Sequence, residues 1–430
     1  MPEHVWILAA FFAIGGLVDF LLTFLIAFFH PGLDYRVSST VSLPLDSPEF
    51  IRLSGLLLDT EAHRRTHVEV LTNGDCFYEA ELAEIGTAQT HICLEAYIFQ
   101  KGDVATRFIG ALTERARAGV EVRILLDAVG SFNTWHHTFR ELIAAGGQVQ
   151  WYNPFRWFNA SRINNRTHRE LLIVDGRTGF LGGAGVADHW YEARGKRHPR
   201  WRDTMVRVRG SAVSNMLAVF SQNWLESSGE LLTGPKYYPP CIEEGETPTF
   251  IIDSTPSFGH GTRARVLFQM LLASAQRSIH ITTPYFLPDR AAIREMVRAM
   301  VERGVEIHIL VPGKHSDHLL TRRSSRRLYG DLLRRGAKVY EYRPSMLHTK
   351  CMLVDGIWSV VGSTNFDHRS FGINDEVNLA SWDPKLADRL EEDFRRDVAQ
   401  AQCVTYRRWM RRPAIERLSE FIGWILERQE

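Results

Sequence analysis

The sequence has almost no excess of charge of either sign. Lysine and arginine together number 51 and aspartate and glutamate 50, which leaves a formal net charge of +1 at pH 7. A protein that binds a long polyanion by releasing its counterions needs a basic surface, and the overall charge provides none. The composition gives no support to nucleic-acid binding, and we expect no nucleic acid as a partner.

Cysteine patterns typical of disulfide frameworks or metal sites are also missing. The cysteines are odd in number and show neither a CxxC pair nor a cysteine–histidine spacing. We therefore expect buried free thiols, no bound metal and no other cofactor. The cysteines are Cys76, Cys93, Cys241, Cys351 and Cys403.

Charge is absent from almost all of one long apolar stretch. Residues 5–29 contain one charged side chain, Asp19, and a helix of this length can cross a hydrocarbon core of about 30 Å. No lysine or arginine precedes the stretch, which favours a transmembrane anchor over a cleaved signal peptide. Arg36 and Arg52 follow it, so the positive-inside rule predicts a single-pass membrane protein with its body in the cytoplasm.

Four sequence patterns beyond this stretch occur twice, in the same order. Residues 94–99 correspond to 281–286, 118–126 to 303–311, 145–154 to 335–344, and 167–176 to 347–356. Repetition of this kind predicts two copies of one structural unit.

Each repeat alternates short β-branched runs with helical patterns, for example over residues 104–118 and 291–303. This alternation predicts an α/β fold in which each repeat is a mainly parallel β-sheet flanked by helices. Asp175-Gly176 and Asp355-Gly356 each separate two apolar runs and predict a hairpin. The predicted divisions are a transmembrane anchor (1–32), a lead-in (33–69), a first repeat (70–228), a linker (229–249), a second repeat (250–403) and a basic amphipathic C-terminal helix (404–430).

The C-terminal segment combines arginines with apolar residues at helical spacing. Arg407 and Arg411 precede Pro413, after which Ile415 and Leu418 begin an apolar helix face. A helix of this composition can lie in a membrane interface, or it can pack on the domain. The pattern leaves both alternatives open.

The second repeat carries a short polar motif before an apolar run. His348 and Lys350 are two residues apart, so in a strand their side chains would point to the same side. Asp355 lies too far along the strand to reach His348, and we expect a structural role for it and for its counterpart Asp175. Small and polar residues after the return strands are predicted to contact a phosphate group, namely Gly183, Ser363 and Asn365.

The spacing His-x-Lys-x4-Asp, followed after six residues by Gly-Ser, resembles the signature of the phospholipase D superfamily, and its repetition makes the resemblance more specific. The chain is most similar to bacterial cardiolipin synthases, over about residues 70–412. The resemblance implies that both motifs form one site. One histidine, which we take as His168, attacks phosphorus to give a phosphohistidine. The other, His348, protonates the leaving alcohol and later deprotonates the incoming one, while Lys350 supplies positive charge.

This family passes a phosphatidyl group from one phosphatidylglycerol to another and releases glycerol. The resemblance therefore implies a phosphatidyltransferase of phospholipid biosynthesis at the bacterial inner membrane, with anionic phospholipid as its substrate. It also implies one acidic residue per repeat that orients a catalytic imidazole, by position Asp203 and Glu376. A plain surface charge is the alternative for Asp203, and the oligomeric state is left open.

The first motif departs from the family pattern. It reads His168-Arg169-Glu170, with glutamate where the family has lysine. A carboxylate repels phosphate, so Glu170 must be neutralised by Lys350 across the interface, by Arg166, or by its own protonation. The site can then be active with Lys350 alone, it can use Glu170 for proton transfer, or the first half can have lost its activity.

Two rival functions follow from these features. A phosphodiesterase or nuclease of the same superfamily would use the basic run that includes Arg322 and Arg326 to follow a phosphate backbone, although anionic lipid would suit it equally. A non-catalytic lipid-binding protein is the second rival, because Glu170 makes the first motif irregular.

Overall fold

The computed structural model describes residues 14–16, 18, 43–155, 164–191, 199–240, 242–256 and 261–427. Nearly all of the predicted transmembrane anchor lies outside these ranges. Within them, no helix is both long and apolar enough to cross a bilayer.

The strands of the two halves follow the order of the sequence repeats. The first half contains β1 (His63–Thr72), β2 (His91–Ala96), β3 (Glu121–Asp127), β4 (Gln148–Tyr152), β5 (Leu171–Val174), β6 (Thr178–Gly182) and β7 (Thr204–Gly210). The second half contains β8 (Thr247–Ser254), β9 (Ser278–Thr282), β10 (Phe286–Leu287), β11 (Glu306–Pro312), β12 (Lys338–Tyr342), β13 (Cys351–Val354), β14 (Trp358–Gly362), β15 (Phe366–Asp367), β16 (Glu376–Ser381) and β17 (Ala401–Val404).

Helices separate most of these strands. They are α1 (Pro48–Leu58), α2 (Gly74–Thr87), α3 (Asp103–Arg117), α4 (Arg140–Ala144), α5 (Ala212–Ser228), α6 (Arg263–Ser274), α7 (Arg290–Arg303), α8 (Leu319–Arg334), α9 (Pro384–Ala399), α10 (Tyr406–Met410) and α11 (Ala414–Glu427), with 3₁₀ turns at His136–Phe139 and Asp188–Trp190. The helix predicted over 291–303 is α7. It begins where the Asp289 side chain accepts from the Ala292 N–H at 2.8 Å, and it ends at Gly304, whose φ is 68°.

One large sheet runs through both halves. Its order is β17-β12-β11-β9-β13-β14-β16-β8-β1-β7-β6-β5-β2-β3-β4, and the halves join where β1 pairs with β8. In the described part of the chain, the parallel pairings of this sheet are confined to β2-β3-β4 and β9-β11-β12. The prediction of a mainly parallel sheet in each repeat is therefore wrong, although the α/β class is right. Each hairpin turns the chain back and adds antiparallel strands beside a short parallel core.

Both predicted hairpins are present. β5 pairs with β6 and β13 pairs with β14, in each case antiparallel. Asp175 and Asp355 have φ values of 54° and 57°, and Gly176 and Gly356 have values of 63° and 65°. Positive φ at both central residues gives the tight turn whose twist matches that of the flanking strands, and the Asp-Gly pair favours it.

Helices cover both faces of the sheet. Ile92 of β2 belongs to the cluster under α2 and α3, whereas its neighbour Cys93 faces a cluster that includes Trp224 of α5. The latter cluster also contains Leu379 and Leu390 of the second half. Because burying a large apolar side chain stabilises a protein by roughly 1.5–3 kcal/mol, this shared core ties the halves together.

The C-terminal helix packs against the second half. Glu420 of α11 lies 3.8 Å from Arg326 of α8, and the indole N–H of Trp409, in the preceding α10, donates to the Arg326 carbonyl at 2.7 Å. Ile415 and Leu418 nevertheless remain 77% and 59% exposed. The helix therefore packs on the domain and still presents apolar side chains to its surroundings.

The described cysteines are free thiols, but they are not all buried. Cys93 lies in the core, whereas Cys76 and Cys403 are exposed. The prediction of buried thiols is wrong for these two, because Cys76 lies on the outer face of α2 and Cys403 lies on the edge strand β17.

Candidate active site

Two histidines meet at the interface between the halves. His168 precedes β5 and His348 precedes β13. The backbone N–H of His168 donates to the Asp375 carbonyl at 2.8 Å, and that of His348 donates to the Arg202 carbonyl at 2.7 Å. Each histidine segment is thus held by a strand end of the opposite half.

The side chains cross the interface in the same way. His168 Nδ1 lies 3.1 Å from Glu376 Oε2, and His348 Nδ1 lies 2.8 Å from Asp203 Oδ2. Both carboxylates are completely buried, so a plain surface charge at Asp203 is excluded. A carboxylate that accepts from Nδ1–H fixes the tautomer and leaves Nε2 for chemistry. The structure therefore brings four predicted site residues together in two equivalent pairs.

Further hydrogen bonds hold these carboxylates in place. The Trp190 indole N–H donates to Asp203 at 3.0 Å, and the Ser363 hydroxyl donates to Glu376 at 2.5 Å. The backbone N–H of Ser363 donates to the Val377 carbonyl. With both donors used, Ser363 has none left for the predicted phosphate contact, and its geometry is that of a residue that positions Glu376.

Lys350 lies beside His348. Its ammonium donates to the His348 carbonyl at 2.8 Å and lies within 3.0 Å of both ring nitrogens. Burial and the charge of Lys350 lower the pKa of His348, and Asp203 opposes them. Burial alone would raise the pKa of Asp203, but its hydrogen bond with His348 and the Lys350 charge bring it below the ordinary value. The lowered pKa of His348 favours its neutral form, and the lowered pKa of Asp203 favours its ionised form.

Glu170 occupies the corresponding position of the first half. Its Oε1 accepts from the backbone N–H groups of Tyr97 at 3.2 Å and Ile98 at 3.4 Å. Among the described residues, neither Lys350 nor Arg166 lies within 4.0 Å of this carboxyl group, and Arg166 has other partners. Burial raises the pKa of Glu170 well above its ordinary value, against the Ile98 hydrogen bond and the charge of Lys350. Of the three predicted ways to neutralise Glu170, the structure supports protonation.

At two glycines of the first half, any side chain would come too close to a carboxyl group of the site. A Cβ on Gly183 would lie 2.7 Å from Asp203 Oδ1, and a Cβ on Gly185 would lie 3.0 Å from Glu170 Oε1. In the second half Asn365 takes the place of Gly185, and its buried Oδ1 has no hydrogen-bond partner within the described ranges. An unpaired acceptor of this kind is suited to a hydroxyl group of the substrate.

Asp175 and Asp355 lie away from the histidines and serve the fold. Each carboxylate accepts backbone N–H groups at the start of a neighbouring strand. Asp175 accepts from Gln89, Thr90 and His91 at 2.8, 2.7 and 3.0 Å, and Asp355 accepts from Gln276, Arg277 and Ser278 at 2.8, 2.8 and 2.9 Å.

Aromatic side chains that the sequence did not single out enclose the imidazoles. The Tyr97 ring lies 5.1 Å from the His168 ring, and the rings of Trp190 and Trp201 lie 5.4 and 5.5 Å from His348. Tyr97 belongs to one of the repeated patterns, which is a signal that could have identified it. Trp190 and Trp201 belong to none of those patterns, and only the fold reveals them.

Two structurally repeated halves, with crossed histidine–carboxylate pairs at their interface, define a phospholipase D-like protein. The family described as "Cardiolipin synthase, PLD-like domain" matches residues 82–194 and 268–398. The chain belongs to this family, as the sequence resemblance indicated.

Curated relatives agree with this membership. The cardiolipin synthase of Geobacillus kaustophilus is 35% identical over 360 residues, which cover 83% of this chain and 71% of that protein. The major cardiolipin synthase ClsA of Bacillus subtilis is 34% identical over 363 residues, covering 84% and 74%. Among solved structures, phosphatidylserine synthase of Haemophilus influenzae shares the fold, with a TM-score of 0.66 at 13% identity over 87% of this chain and 96% of that one.

Proposed function

We propose that this protein is a membrane-bound phosphatidyltransferase that makes cardiolipin and glycerol from two molecules of phosphatidylglycerol. The observation that carries the proposal is the pair of imidazoles, each bonded to a buried carboxylate of the opposite half. Two such groups suit a phosphoryl transfer that is split into two steps. The names of the curated relatives support the choice of substrate.

In the first step, His168 is the nucleophile. Its Nε2 has no hydrogen-bond partner in the described part of the chain, whereas the Nε2 of His348 faces Lys350 at 3.0 Å. The Nε2 lone pair attacks phosphorus, the bond from phosphorus to the headgroup glycerol breaks, and His348 gives its proton to the departing oxygen. The products are phosphatidyl-His168 and glycerol.

His348 takes up this proton together with the substrate. Its pKa is lowered in the empty site, chiefly by burial and then by Lys350. The negative charge of a bound phosphodiester favours the protonated imidazole and moves the pKa upwards again. Lys350 then contacts the phosphate oxygens and stabilises the charge that develops on them.

In the second step, the hydroxyl group of another phosphatidylglycerol gives its proton to neutral His348 while its oxygen attacks phosphorus. The bond to His168 breaks, which releases cardiolipin and restores both histidines. Protonated Glu170 does not repel the phosphate, so the site works with Lys350 as its fixed charge. We assign phosphate contacts to Gly183 and to the Nδ2 amide of Asn365, because the Oδ1 acceptor cannot bond to a phosphate oxygen.

The location follows from the substrate. We propose that the chain is held at the bacterial inner membrane by a single-pass N-terminal anchor, with its catalytic body in the cytoplasm. The support is the apolar stretch over residues 5–29 and the arginines that follow it.

Incubating the purified full chain with phosphatidylglycerol tests the reaction. We expect glycerol and cardiolipin in equal amounts, measured by an enzyme-coupled glycerol assay and by lipid mass spectrometry. Phosphatidic acid without cardiolipin would instead identify a phosphodiesterase. Lipid binding without any product would identify a non-catalytic protein.

A further inference from the structure

A large cavity lies on the second half, and none of the predicted site residues lines it. Its volume is about 1180 Å³, and α8, the end of β12 and the C-terminal segment form its walls. We call it the arginine cavity, after Arg322, Arg326, Arg343, Arg407, Arg408 and Arg411.

The cavity concentrates positive charge in a chain that is nearly neutral overall. Glu341 and Glu416 are the carboxylates on its walls, and Glu341 pairs with Arg326 at 2.8 Å. Within the described ranges, Arg343, Arg407, Arg408 and Arg411 have no carboxylate within 4.0 Å. Like charges gathered in one place repel one another, so an anion from outside the chain would stabilise this arrangement.

The chemistry of the walls favours a phosphate group. Guanidinium groups bind phosphate oxygens through two parallel hydrogen bonds, which makes arginine the preferred residue for phosphate recognition. The cavity is also much larger than an inorganic phosphate ion, because pockets of about 300–1,000 Å³ already hold whole small molecules.

Exposed apolar side chains on α11, the helix that supplies Glu416 to the cavity wall, favour a lipid as the source of that phosphate. Ile415, Leu418 and Phe421 of α11 are 77%, 59% and 42% exposed. A segment that joins arginines to exposed apolar side chains can place the former at lipid headgroups and the latter among acyl chains. Exposed aliphatic side chains do not contribute to binding a phosphate backbone, so they do not favour a nucleic acid.

We propose that the arginine cavity binds the phosphate-bearing headgroup of an anionic membrane phospholipid, at a site separate from the catalytic histidines. The loop after β11 supplies Lys314 and His315 to the cavity, and further along it Asp317 accepts from the Tyr285 hydroxyl at 2.6 Å. Tyr285 lies in the second copy of the repeated pattern that contains Tyr97, and Tyr97 packs on His168. A lipid in the cavity therefore holds the loop that leads to the active site.

Hydrogen exchange of the full chain in dodecyl maltoside micelles tests this proposal. Dihexanoyl phosphatidylglycerol should slow the exchange of backbone amides over residues 402–416. Replacing Arg407, Arg408 and Arg411 together by glutamine should raise the apparent Kd about tenfold or more, because each lost arginine removes charge-assisted hydrogen bonds. The matched control is the triple replacement of Arg117, Arg334 and Arg335, which are exposed and lie outside the cavity. It removes the same charge and should change the Kd by less than about twofold.

Several outcomes would contradict the proposal of a lipid site. These are equal protection by inorganic phosphate or by dihexanoyl phosphatidylcholine, an equal loss in both triple variants, or no protection over residues 402–416. An oligonucleotide that protected these amides better than the lipid would identify a nucleic-acid site instead. Hydrogen exchange does not depend on turnover, so it reports on the lipid site separately from catalysis. If the lipid protects the amides but the protein shows no transferase activity, the proposed reaction is rejected and the lipid site is retained.

Discussion

Replacing Glu170 by glutamine tests how the first half works with a carboxyl group in place of lysine. Glutamine keeps the shape and an oxygen acceptor for the N–H groups of Tyr97 and Ile98, which lie 3.2 and 3.4 Å away. Burial raises the pKa of Glu170 well above its ordinary value, so the substitution exchanges one neutral group for another. We expect turnover within about threefold of wild type, and a change of less than about 1 kcal/mol in the free energy of unfolding, the size of one ordinary hydrogen bond.

The pH dependence of stability gives a second measurement on the same variant. Because the folded pKa of Glu170 lies above the unfolded one, the folded state binds the proton more tightly. The resulting stabilisation is complete below the unfolded pKa and is lost as the pH rises through the folded pKa. Thermal melting over about pH 5 to 9 should therefore show wild type losing stability relative to Glu170→Gln as the pH rises.

The matched control is Glu376→Gln, the same change at the carboxylate that holds His168. It should lower turnover by about 10²–10⁴-fold, the usual contribution of a positioned acid–base group. A loss of this size in Glu170→Gln would show that Glu170 transfers protons and would refute the reasoning above. An inactive wild type that gained activity in Glu170→Lys would show that the first half is degenerate.

Three further predictions concern the site and the membrane. His168→Ala and His348→Ala should each abolish transfer without lowering the melting temperature substantially, and trapped phosphoenzyme should be missing from His168→Ala; full activity in either variant contradicts the two-histidine reaction. Gly183→Ala places a Cβ 2.7 Å from the carboxylate that holds His348 and should lower turnover about tenfold or more, whereas Gly86→Ala, in open space on α2, should leave turnover unchanged. Deleting residues 1–30 should leave part of the protein on membranes in a flotation assay, because we expect the arginines and exposed apolar side chains of the C-terminal segment to form a second attachment. Complete solubility at low salt would contradict this expectation.

Local patterns were sufficient to predict the hairpins and to nominate the two histidines of the candidate site. Asp175-Gly176 specifies a tight turn by its own backbone preferences, and the duplicated motif aligned His168 with His348. Strand direction was not predictable in this way, because the alternation of strand and helix patterns does not record how strands pair. Strand direction was therefore the part of the fold that was predicted incorrectly: we expected a mainly parallel sheet, and most of the described pairings are antiparallel.

The electrostatic state of the site also depends on tertiary packing. Position within each repeat was enough to nominate Asp203 and Glu376, but it did not show which histidine each one holds. Glu170 has the same sequence neighbours whether it is ionised or protonated, and only its burial distinguishes the two. Trp190 contacts His348 and bonds to Asp203 without any sequence signal, because the second repeat has no matching tryptophan pattern.

The two histidine–carboxylate pairs do not follow the division of the chain into repeats. His168 works with Glu376, and His348 works with Asp203, so each functional pair draws one member from each half. Two residues of the same repeat, such as His168 and Asp203, belong to different pairs. A substitution at one member of a pair therefore acts on a partner in the other half, which for His168 and Glu376 is 208 residues away along the chain.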